Sequence, residues 1–249
     1  MLALLTNDDG YAAEGLRRLS REIGKLCDVL VVAPTVDQSA AAHSLTLQRP
    51  LRLKEIKENL YTVDGTPTDA VMVAMYGILD NRKPDILISG INRGPNMGDD
   101  ITYSGTVAAA FEGAILGIPS IAVSTVEFED IDYAAAARFT RKLARKVLNE
   151  GLPDFSLLNV NIPNPTNGKY AGVKITRLGK RVYHDILLEN LDPRGKKYYW
   201  IGGEPEWEDY DNSDYSATKE GYVSITPLKM DMTDYDLGDR LRGWKFRGL

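Results

Sequence analysis

The chain has 249 residues, with 30 basic and 35 acidic side chains, so its formal net charge is −5. This length is enough for one large domain or two small ones with a real core, and the ordinary charged fraction, 26%, excludes a disordered chain. The acidic balance argues against a protein that coats nucleic acid, which needs a basic face. One cysteine and two histidines, His43 and His184, exclude a disulfide framework and disfavour a zinc site.

The N-terminus has none of the features of a targeting segment. Its apolar run over Leu2–Thr6 is short and has no basic residues before it, so it predicts a strand and not a signal peptide. Nothing in the sequence approaches the ~18 consecutive apolar residues that cross a bilayer. We therefore expect a cytoplasmic protein with no membrane partner.

Strand and helix patterns alternate over the first two thirds of the chain. Continuous apolar runs predict buried strands at residues 2–6, 28–33, 85–89, 120–124 and 156–162. Helical patterns predict helices around residues 16–26, 69–79, 104–117 and 132–151. The second helix has Thr66 as its N-cap, Pro67 at its first position and Asp69 closing a capping box. This β-α-β repetition predicts an α/β protein with a doubly wound, mostly parallel, Rossmann-like sheet.

Two segments between the second strand and the second helix have a different pattern. Residues 51–56 and 60–63 alternate apolar and polar side chains with period two. That alternation is typical of strands with one solvated face, so it predicts a short antiparallel excursion from the parallel sheet.

The chain changes character after about residue 171. Residues 173–178 and 222–226 alternate and predict antiparallel strands. Residues 204–214 hold aromatic side chains, six acidic residues and no basic ones; the acidic residues are Glu204, Glu206, Glu208, Asp209, Asp211 and Asp214. We predict an α/β core over 1–178 and a C-terminal extension over 179–249, with an arm at about 180–220 and a strand that returns to the core. The arm packs either on a partner subunit or on its own core.

Polar clusters follow the predicted strands at the edge where an open parallel sheet binds its ligands. Asn7-Asp8-Asp9-Gly10 follows the first strand, residues 34–43 follow the second, and the Gly- and Asn-rich residues 90–98 follow the third. A further cluster, Ser104-Gly105-Thr106, stands at a helix start. We expect these four clusters to converge on one site.

Asp8 and Asp9 are the most informative pair in that site. Adjacent carboxylates repel each other unless one is protonated or a cation lies between them. The first βα loop also lacks the G-x-G-x-x-G motif of dinucleotide binders. A hard divalent cation, Mg²⁺ or Mn²⁺, explains both features. A turn that caps the next helix would be the simpler explanation for an isolated Asp-Asp pair, but further oxygen ligands are expected on the same edge.

The remaining polar residues suggest chemistry on a phosphate ester. Ser39 and Asn92 can supply oxygen ligands, Asn96 can donate to an oxyanion, and the helix start at residues 104–106 offers free N–H groups to an anion. Turn and cap formation would also explain each of these residues singly. Together they indicate a cation that polarises phosphoryl oxygens and generates a hydroxide nucleophile, while amides stabilise the developing charge.

Several motifs resemble those of the SurE family of survival-protein nucleotidases. They are TNDDG at 6–10, VAP at 32–34, QSA at 38–40, HS at 43–44, GTPTD at 65–69, SGINRGPNMG at 89–98, YSGTV at 103–107 and EGYVSITP at 220–227. The likeness extends from residue 2 to about residue 228. One departure is Ala41-Ala42 before His43, where the family more often has Thr or Ser followed by Gly.

The resemblance implies a metal-dependent phosphatase that hydrolyses nucleoside 5′- and 3′-monophosphates and, in some members, short polyphosphate. It implies one divalent cation per subunit, and the ligands would be Asp8, Asp9, Ser39 and Asn92. It implies a phosphate pocket made by Asn96, Ser104, Gly105 and Thr106. Catalytic roles would fall to Asp8, Asp9 and Asn96. It also implies a homodimer or homotetramer that exchanges C-terminal arms.

Two other functions use the same residues. A nucleotide- or phosphate-sensing protein could bind its ligand in this pocket without turnover, and the sequence leaves this alternative open. A metal-dependent deacetylase with an Asp-Asp pair after its first strand would need several His ligands for zinc. Only His43 lies near the predicted site, so the sequence disfavours this second alternative.

Overall fold

The computed structural model describes residues 1–183, 187–202, 205–208 and 210–244. His184, Glu204 and Asp209, which were named above, lie outside the described residues. Six α-helices occur in the described chain: α1 (Glu14–Ile23), α2 (Pro67–Val73), α3 (Gly105–Ile115), α4 (Tyr133–Glu150), α5 (Asp214–Lys219) and α6 (Tyr235–Arg242).

The described residues also form thirteen strands. The first seven are β1 (Leu2–Thr6), β2 (Asp28–Pro34), β3 (Leu53–Lys57), β4 (Leu60–Val63), β5 (Ile86–Asn92), β6 (Ser120–Thr125) and β7 (Ser156–Ile162). The other six are β8 (Gly172–Ile175), β9 (Lys180–Tyr183), β10 (Leu187–Leu191), β11 (Lys197–Ile201), β12 (Pro205–Glu208) and β13 (Tyr222–Lys229). Nine of these strands make one sheet in the order β3-β4-β2-β1-β5-β6-β7-β13-β8.

The centre of this sheet is parallel, from β4 across β2, β1, β5 and β6 to β7. Successive side chains of a strand point to opposite faces of the sheet, so each buried strand contributes side chains to two hydrophobic cores, one on each face. Leu5 of β1 packs in the core beneath α1 and α4, and Leu4 packs in the core beneath α2 and α3. The predicted doubly wound α/β fold is therefore confirmed.

Two strand pairings differ from the sequence-based expectation. β4 belongs to the main sheet and runs parallel to β2, so only β3, which is exposed along its whole length, is antiparallel there. β8 was expected to be antiparallel, but it runs parallel to β13. The connection from β8 to β13 is long enough to bring the chain back to the same end of the sheet, which a parallel pair requires. β13 itself pairs antiparallel with β7, as expected of a returning strand.

The helix signals were accurate. Thr66 Oγ1 accepts a hydrogen bond from the Asp69 N–H, and the Asp69 carboxylate accepts one from the Thr66 N–H, so the capping box is confirmed. Beyond Val73 this helix continues as a π-helical turn, Ala74–Ile78. Asp132 caps α4 through the Ala135 N–H, and the helix ends before Gly151. These caps fix where each helix begins relative to the sheet edge.

An antiparallel arm projects between β8 and α5. β9 pairs with β12, and β10 pairs with β11 to form an outer hairpin. Both strands of the outer hairpin are exposed throughout, although they carry large apolar side chains such as Leu188, Trp200 and Ile201. Among the described helices none is both long enough and apolar enough to cross a membrane.

Candidate active site

A cleft of about 320 Å³ opens at the carboxyl edge of the parallel strands. Predicted site residues that line it are Asp8, Ser39, Asn92, Asn96 and Ser104. They come from the ends of β1 and β5, the loop after β2 and the N-cap of α3. The strand order brings β2, β1 and β5 side by side, and this adjacency gathers residues that lie far apart in the sequence.

Asp8 lies at the floor of the cleft and is buried. Its Oδ2 accepts a hydrogen bond from the Thr106 N–H at 3.0 Å, and its Oδ1 accepts one from the Thr106 hydroxyl. A Cβ atom on Gly105 would lie 3.0 Å from the Asp8 Cβ, so the glycine permits this close approach. The positive end of the α3 dipole thus faces a carboxylate.

This contact decides which groups at the α3 start face the cleft. Thr106 is fully buried, and both of its donors are used by Asp8. The Ser104 Oγ accepts the capping hydrogen bond from the Val107 N–H. Within the described part of the chain, the Ser104 hydroxyl proton and the Gly105 N–H have no other partner. They are the donors that a bound anion would meet.

Asp9 stands beside Asp8 and receives a hydrogen bond from the Arg93 N–H at 3.3 Å. Burial, and then the neighbouring charge of Asp8, raise the pKa of Asp9 to about 7. Burial also raises the pKa of Asp8, against the lowering effect of the Thr106 hydrogen bonds. Two ionised carboxylates in this position are therefore unfavourable without a compensating cation.

Ser39 reaches the site on a turn within the predicted cluster 34–43, and Asp37, which was not predicted to take part, holds this turn. Asp37 Oδ1 accepts hydrogen bonds from the Ser39 N–H at 2.7 Å and from the Ser39 hydroxyl at 2.6 Å. The charge of Asp37 also contributes to raising the pKa of both Asp8 and Asp9. The Asp-x-Ser pattern, typical of an Asx-turn, was the available signal.

Asn92 and Asn96 are held in defined orientations. The Asn92 amide nitrogen donates to the Gly94 carbonyl at 2.9 Å, so its Oδ1 remains as an acceptor. The Asn96 amide nitrogen donates to Ser124 Oγ at 2.7 Å, and the Asn96 N–H donates to Asn161 Oδ1 at 2.9 Å.

Two buried asparagines on β7 support Asn96 from below. Asn159 and Asn161 each donate a hydrogen bond of 2.9 Å to the Asn96 carbonyl. Both were missed as site residues, although they are the polar positions of an otherwise apolar run, SLLNVNI, and their spacing of two puts them on one face of the strand. Polar side chains on one face of a buried strand were the signal.

Side chains of α2 and α3 help to anchor the loop after β2. The Asp69 carboxylate, besides capping α2, accepts hydrogen bonds from the Thr46 N–H at 2.9 Å and the Thr46 hydroxyl at 2.6 Å. His43 Nε2 lies 2.9 Å from Glu112 Oε2 of α3. His43 thus holds the loop against the helix, as a structural histidine would, and does not line the cleft.

The donor set suits a hard cation. It comprises the Asp8 and Asp9 carboxylates, the Ser39 hydroxyl and the Asn92 Oδ1, all of which are oxygen ligands of the kind that Mg²⁺ and Mn²⁺ prefer. Among the described residues, no group of three or more His, Cys, Asp or Glu side chains is placed to hold a metal. A cation here would therefore need Ser39 or Asn92 in addition to the two carboxylates.

The sequence profile of the family described as "Survival protein SurE" matches residues 3–185. The chain belongs to the SurE family. The matched span includes all of the predicted site residues, from Asp8 to Thr106. The SurE resemblance drawn from the motifs is therefore confirmed.

Individual relatives extend the match to nearly the whole chain. A protein named "5'-nucleotidase SurE" from Geotalea uraniireducens is 50% identical over 246 residues, covering 98% of this chain and 99% of the relative. One of the same name from Aquifex aeolicus is 48% identical over 234 residues, covering 93% of each. The crystal structure of SurE protein from Aquifex aeolicus superposes with a TM-score of 0.89 at 46% identity, covering 97% of this chain and 98% of the other.

Proposed function

We propose that this SurE protein is a metal-dependent phosphatase that hydrolyses nucleoside 5′- and 3′-monophosphates to nucleoside and phosphate. The observation that carries the proposal is the carboxyl edge of the sheet, where the buried Asp8 and its partly buried neighbour Asp9 lie beside further oxygen donors and the start of α3. The name 5′-nucleotidase carried by close relatives supports a nucleotidase. Activity on 3′-monophosphates and on short polyphosphate rests on the family resemblance.

The roles of the residues follow from their contacts. Asp8, Asp9, Ser39 and Asn92 would hold the cation, and Thr106 would keep the Asp8 carboxylate in position through its two hydrogen bonds. A bound Mg²⁺ or Mn²⁺ supplies positive charge to phosphoryl oxygens and lowers the pKa of water.

The phosphate would bind at the start of α3. The Ser104 hydroxyl and the Gly105 N–H would donate to its oxygens, where the helix dipole favours negative charge. The Asn96 amide has a second N–H besides the one donated to Ser124, and it would stabilise the charge that develops on the phosphoryl group.

The walls of the cleft favour a nucleoside ester over a bare phosphate chain. Tyr103 and Phe128 line it and are 64% and 65% exposed. Exposed aromatic rings beside a polar pocket provide apolar surface on which a planar base can stack. We therefore expect nucleoside monophosphates to be better substrates than short polyphosphate.

A phosphate-release screen tests this function. The purified protein would be incubated with nucleoside 5′-monophosphates, 3′-monophosphates and short polyphosphate, each with Mg²⁺, Mn²⁺ or EDTA. We expect multiple turnover with a divalent cation and none in EDTA. Full activity in EDTA would contradict the metal site, and binding of nucleotide without turnover would favour the alternative of a nucleotide-sensing protein.

The outer hairpin supports a further part of the proposal, a homodimer or homotetramer formed by arm exchange. Leu187, Leu188, Leu191, Tyr199 and Trp200 are each more than half exposed on two strands that have no further sheet to join among the described residues. A surface of this kind is typical of an interface. A cytoplasmic location and the absence of a nucleic-acid partner stay predictions from the sequence.

A further inference from the structure

The base of the arm lies against the loop that carries part of the cleft. We call residues 93–104, between β5 and α3, the site loop, and we call β9, β12 and α5 the arm root. The site loop includes the cleft residues Asn96 and Asp100, and it passes through a 3₁₀ turn, Gly98–Thr102, that packs against β9. The two segments are separated by about eighty residues of sequence.

Asp214 is the main connection between them. It is fully buried, and its Oδ2 accepts a hydrogen bond of 2.9 Å from the Gly98 N–H of the site loop. Its Oδ1 accepts hydrogen bonds from the Gly179 N–H, just before β9, at 2.8 Å and from the Tyr215 N–H of α5 at 2.9 Å. One carboxylate therefore joins the site loop to both ends of the arm.

Trp207 of β12 reinforces this connection. Its ring stacks on Tyr215, with centroids 4.8 Å apart and planes 8° from parallel. A Cβ atom on Gly98 would lie 3.0 Å from Trp207 Cζ3 and 2.8 Å from the Gly179 carbonyl oxygen. The site loop is thus seated directly on the arm root, with no room for a side chain at Gly98.

A second polar connection reaches the cleft itself. Arg181 of β9 forms a short ion pair with Asp100, which lines the cleft. The Thr218 hydroxyl of α5 also contacts Met97 Sδ at 3.5 Å. The site loop is consequently held from two sides, by the β7 asparagines beneath Asn96 and by the arm root beside Gly98 and Asp100.

We propose that Asp214 is a positioning residue that holds the site loop in its substrate-binding conformation, so that the arm root sets the affinity for the phosphate ester. As far as the substrate is concerned, this rests on the proposed function. The proposed metal ligands Asp8, Asp9, Ser39 and Asn92 lie outside the site loop, and the loop's hydrogen bonds to them run through Arg93 and Gly94, at the opposite end from Asp100. The effect should therefore fall on substrate binding and not on the cation.

The substitution Asp214→Asn tests the connection with little change of volume. The amide oxygen can keep the Gly179 and Tyr215 hydrogen bonds, but its NH₂ group would then face the Gly98 N–H, donor against donor. Asp211→Asn is the matched control, because Asp211 is exposed and lies only three residues away.

The experiment measures steady-state hydrolysis of AMP with Mn²⁺, Mn²⁺ affinity by calorimetry, and hydrogen exchange of peptides covering residues 93–104. For D214N we expect KM to rise about tenfold, as for the loss of one buried hydrogen bond to a charged group, with kcat within about threefold. Mn²⁺ affinity should stay at its wild-type value, and the site loop should exchange faster. D211N should match wild type in all three measurements.

Arg181→Gln provides a second variant if D214N fails to fold, with Lys197→Gln as control because Lys197 pairs with Glu189 on the outer hairpin. R181Q should raise KM about threefold and accelerate exchange in the site loop, since a partly exposed ion pair contributes less than a buried one. Wild-type exchange in the loop, or an unchanged KM, would overturn the proposal in either variant. If the wild-type protein hydrolyses no nucleotide, the proposed function fails, and the exchange data alone decide whether Asp214 orders the loop.

Discussion

The cleft at the sheet edge and the outer hairpin β10–β11 differ in which side chains they bury and which they expose. Around the cleft, polar groups are buried and paired: Asp8 with Thr106, and Asn96 with Asn161. On the hairpin, large apolar groups such as Trp200 are exposed. Buried polar groups need partners and exposed apolar groups need cover. Asp8 and Asn96 find their partners within one chain, whereas the exposed apolar side chains of the hairpin do not.

The largest effect should come from the floor of the cleft. Asp8→Asn removes the negative charge that we propose binds the cation, and it removes one acceptor of the Thr106 hydrogen bonds. The volume of the side chain is nearly unchanged. We expect phosphate release from AMP to fall by at least about 100-fold, on the scale of a lost electrostatic contact to a transition state.

Circular dichroism should show a folded D8N protein, and Asp28→Asn at the exposed start of β2 should keep wild-type activity. Near-normal turnover by D8N would break the assignment of the cleft as the active site.

The hairpin side of the comparison is tested by making it polar. Leu188 and Trp200 face each other across the β10–β11 pair. Serine at both positions should lower the mass in solution at least twofold. The variant hairpin has less apolar surface to bury against a partner subunit, so association is no longer favourable.

Light scattering coupled to gel filtration measures this mass. Glu189→Ser with Lys197→Ser, an ion pair on the same strands, is the control that should leave the mass unchanged. If the apolar variant keeps its mass, the hairpin is not the interface. Deleting the whole span 180–220 would be less informative, because Trp207 and Asp214 within it pack on the core.

The buried support of Asn96 should be costly to remove. Asn161→Ala leaves the Asn96 N–H and carbonyl without one partner each, so we expect the free energy of unfolding to fall by about 1–3 kcal/mol. Denaturant titration with the exposed helical substitution Asn149→Ala as reference measures this loss. A destabilisation no larger than that of N149A would show that the network under the cleft is not tightly coupled to stability.

The smallest effect concerns the pH dependence of the metal-free protein. The pKa of Asp9 is raised to about 7 in the folded state, above its ordinary value of 3.8, so between these pH values the folded protein holds a proton there that the unfolded chain releases. Its contribution to stability should therefore decrease as pH rises from about 4 to about 7.

Asp9→Asn removes this contribution. In EDTA, the Tm of D9N relative to wild type should thus increase over that pH range. A difference that is constant with pH would contradict the raised pKa. Adding Mn²⁺ should stabilise wild type more than D9N.

Much of the cleft could be predicted from the sequence because its signals are local. Asp8, Ser39, Asn92, Asn96 and Ser104 each follow a strand or begin a helix, and the parallel order of the strands then brings them together. The caps at Thr66 and Asp132 were equally local, since a cap depends on a few consecutive residues.

Pairings between distant segments could not be predicted in this way. The parallel pairing of β4 with β2 and of β8 with β13 depends on where the chain returns to the sheet, which strand periodicity does not encode. In the sequence Asp214 is one acid among six in the arm, yet among the four that the structure describes it is the one that is buried, beneath the site loop. The positioning role that we propose for it rests on its hydrogen bonds from three backbone N–H groups, and no pattern in the sequence predicts these contacts.

Asp69 has a consequence for how the protein unfolds. The same carboxylate caps α2 and binds Thr46 in the loop that follows β2. Unravelling the first turn of α2 therefore releases the loop, and releasing the loop removes two of the three hydrogen bonds that hold the Asp69 carboxylate in place. These two segments should open as a single cooperative unit. Ser39 lies on the same loop, so this part of the cleft would leave the site together with the first turn of α2.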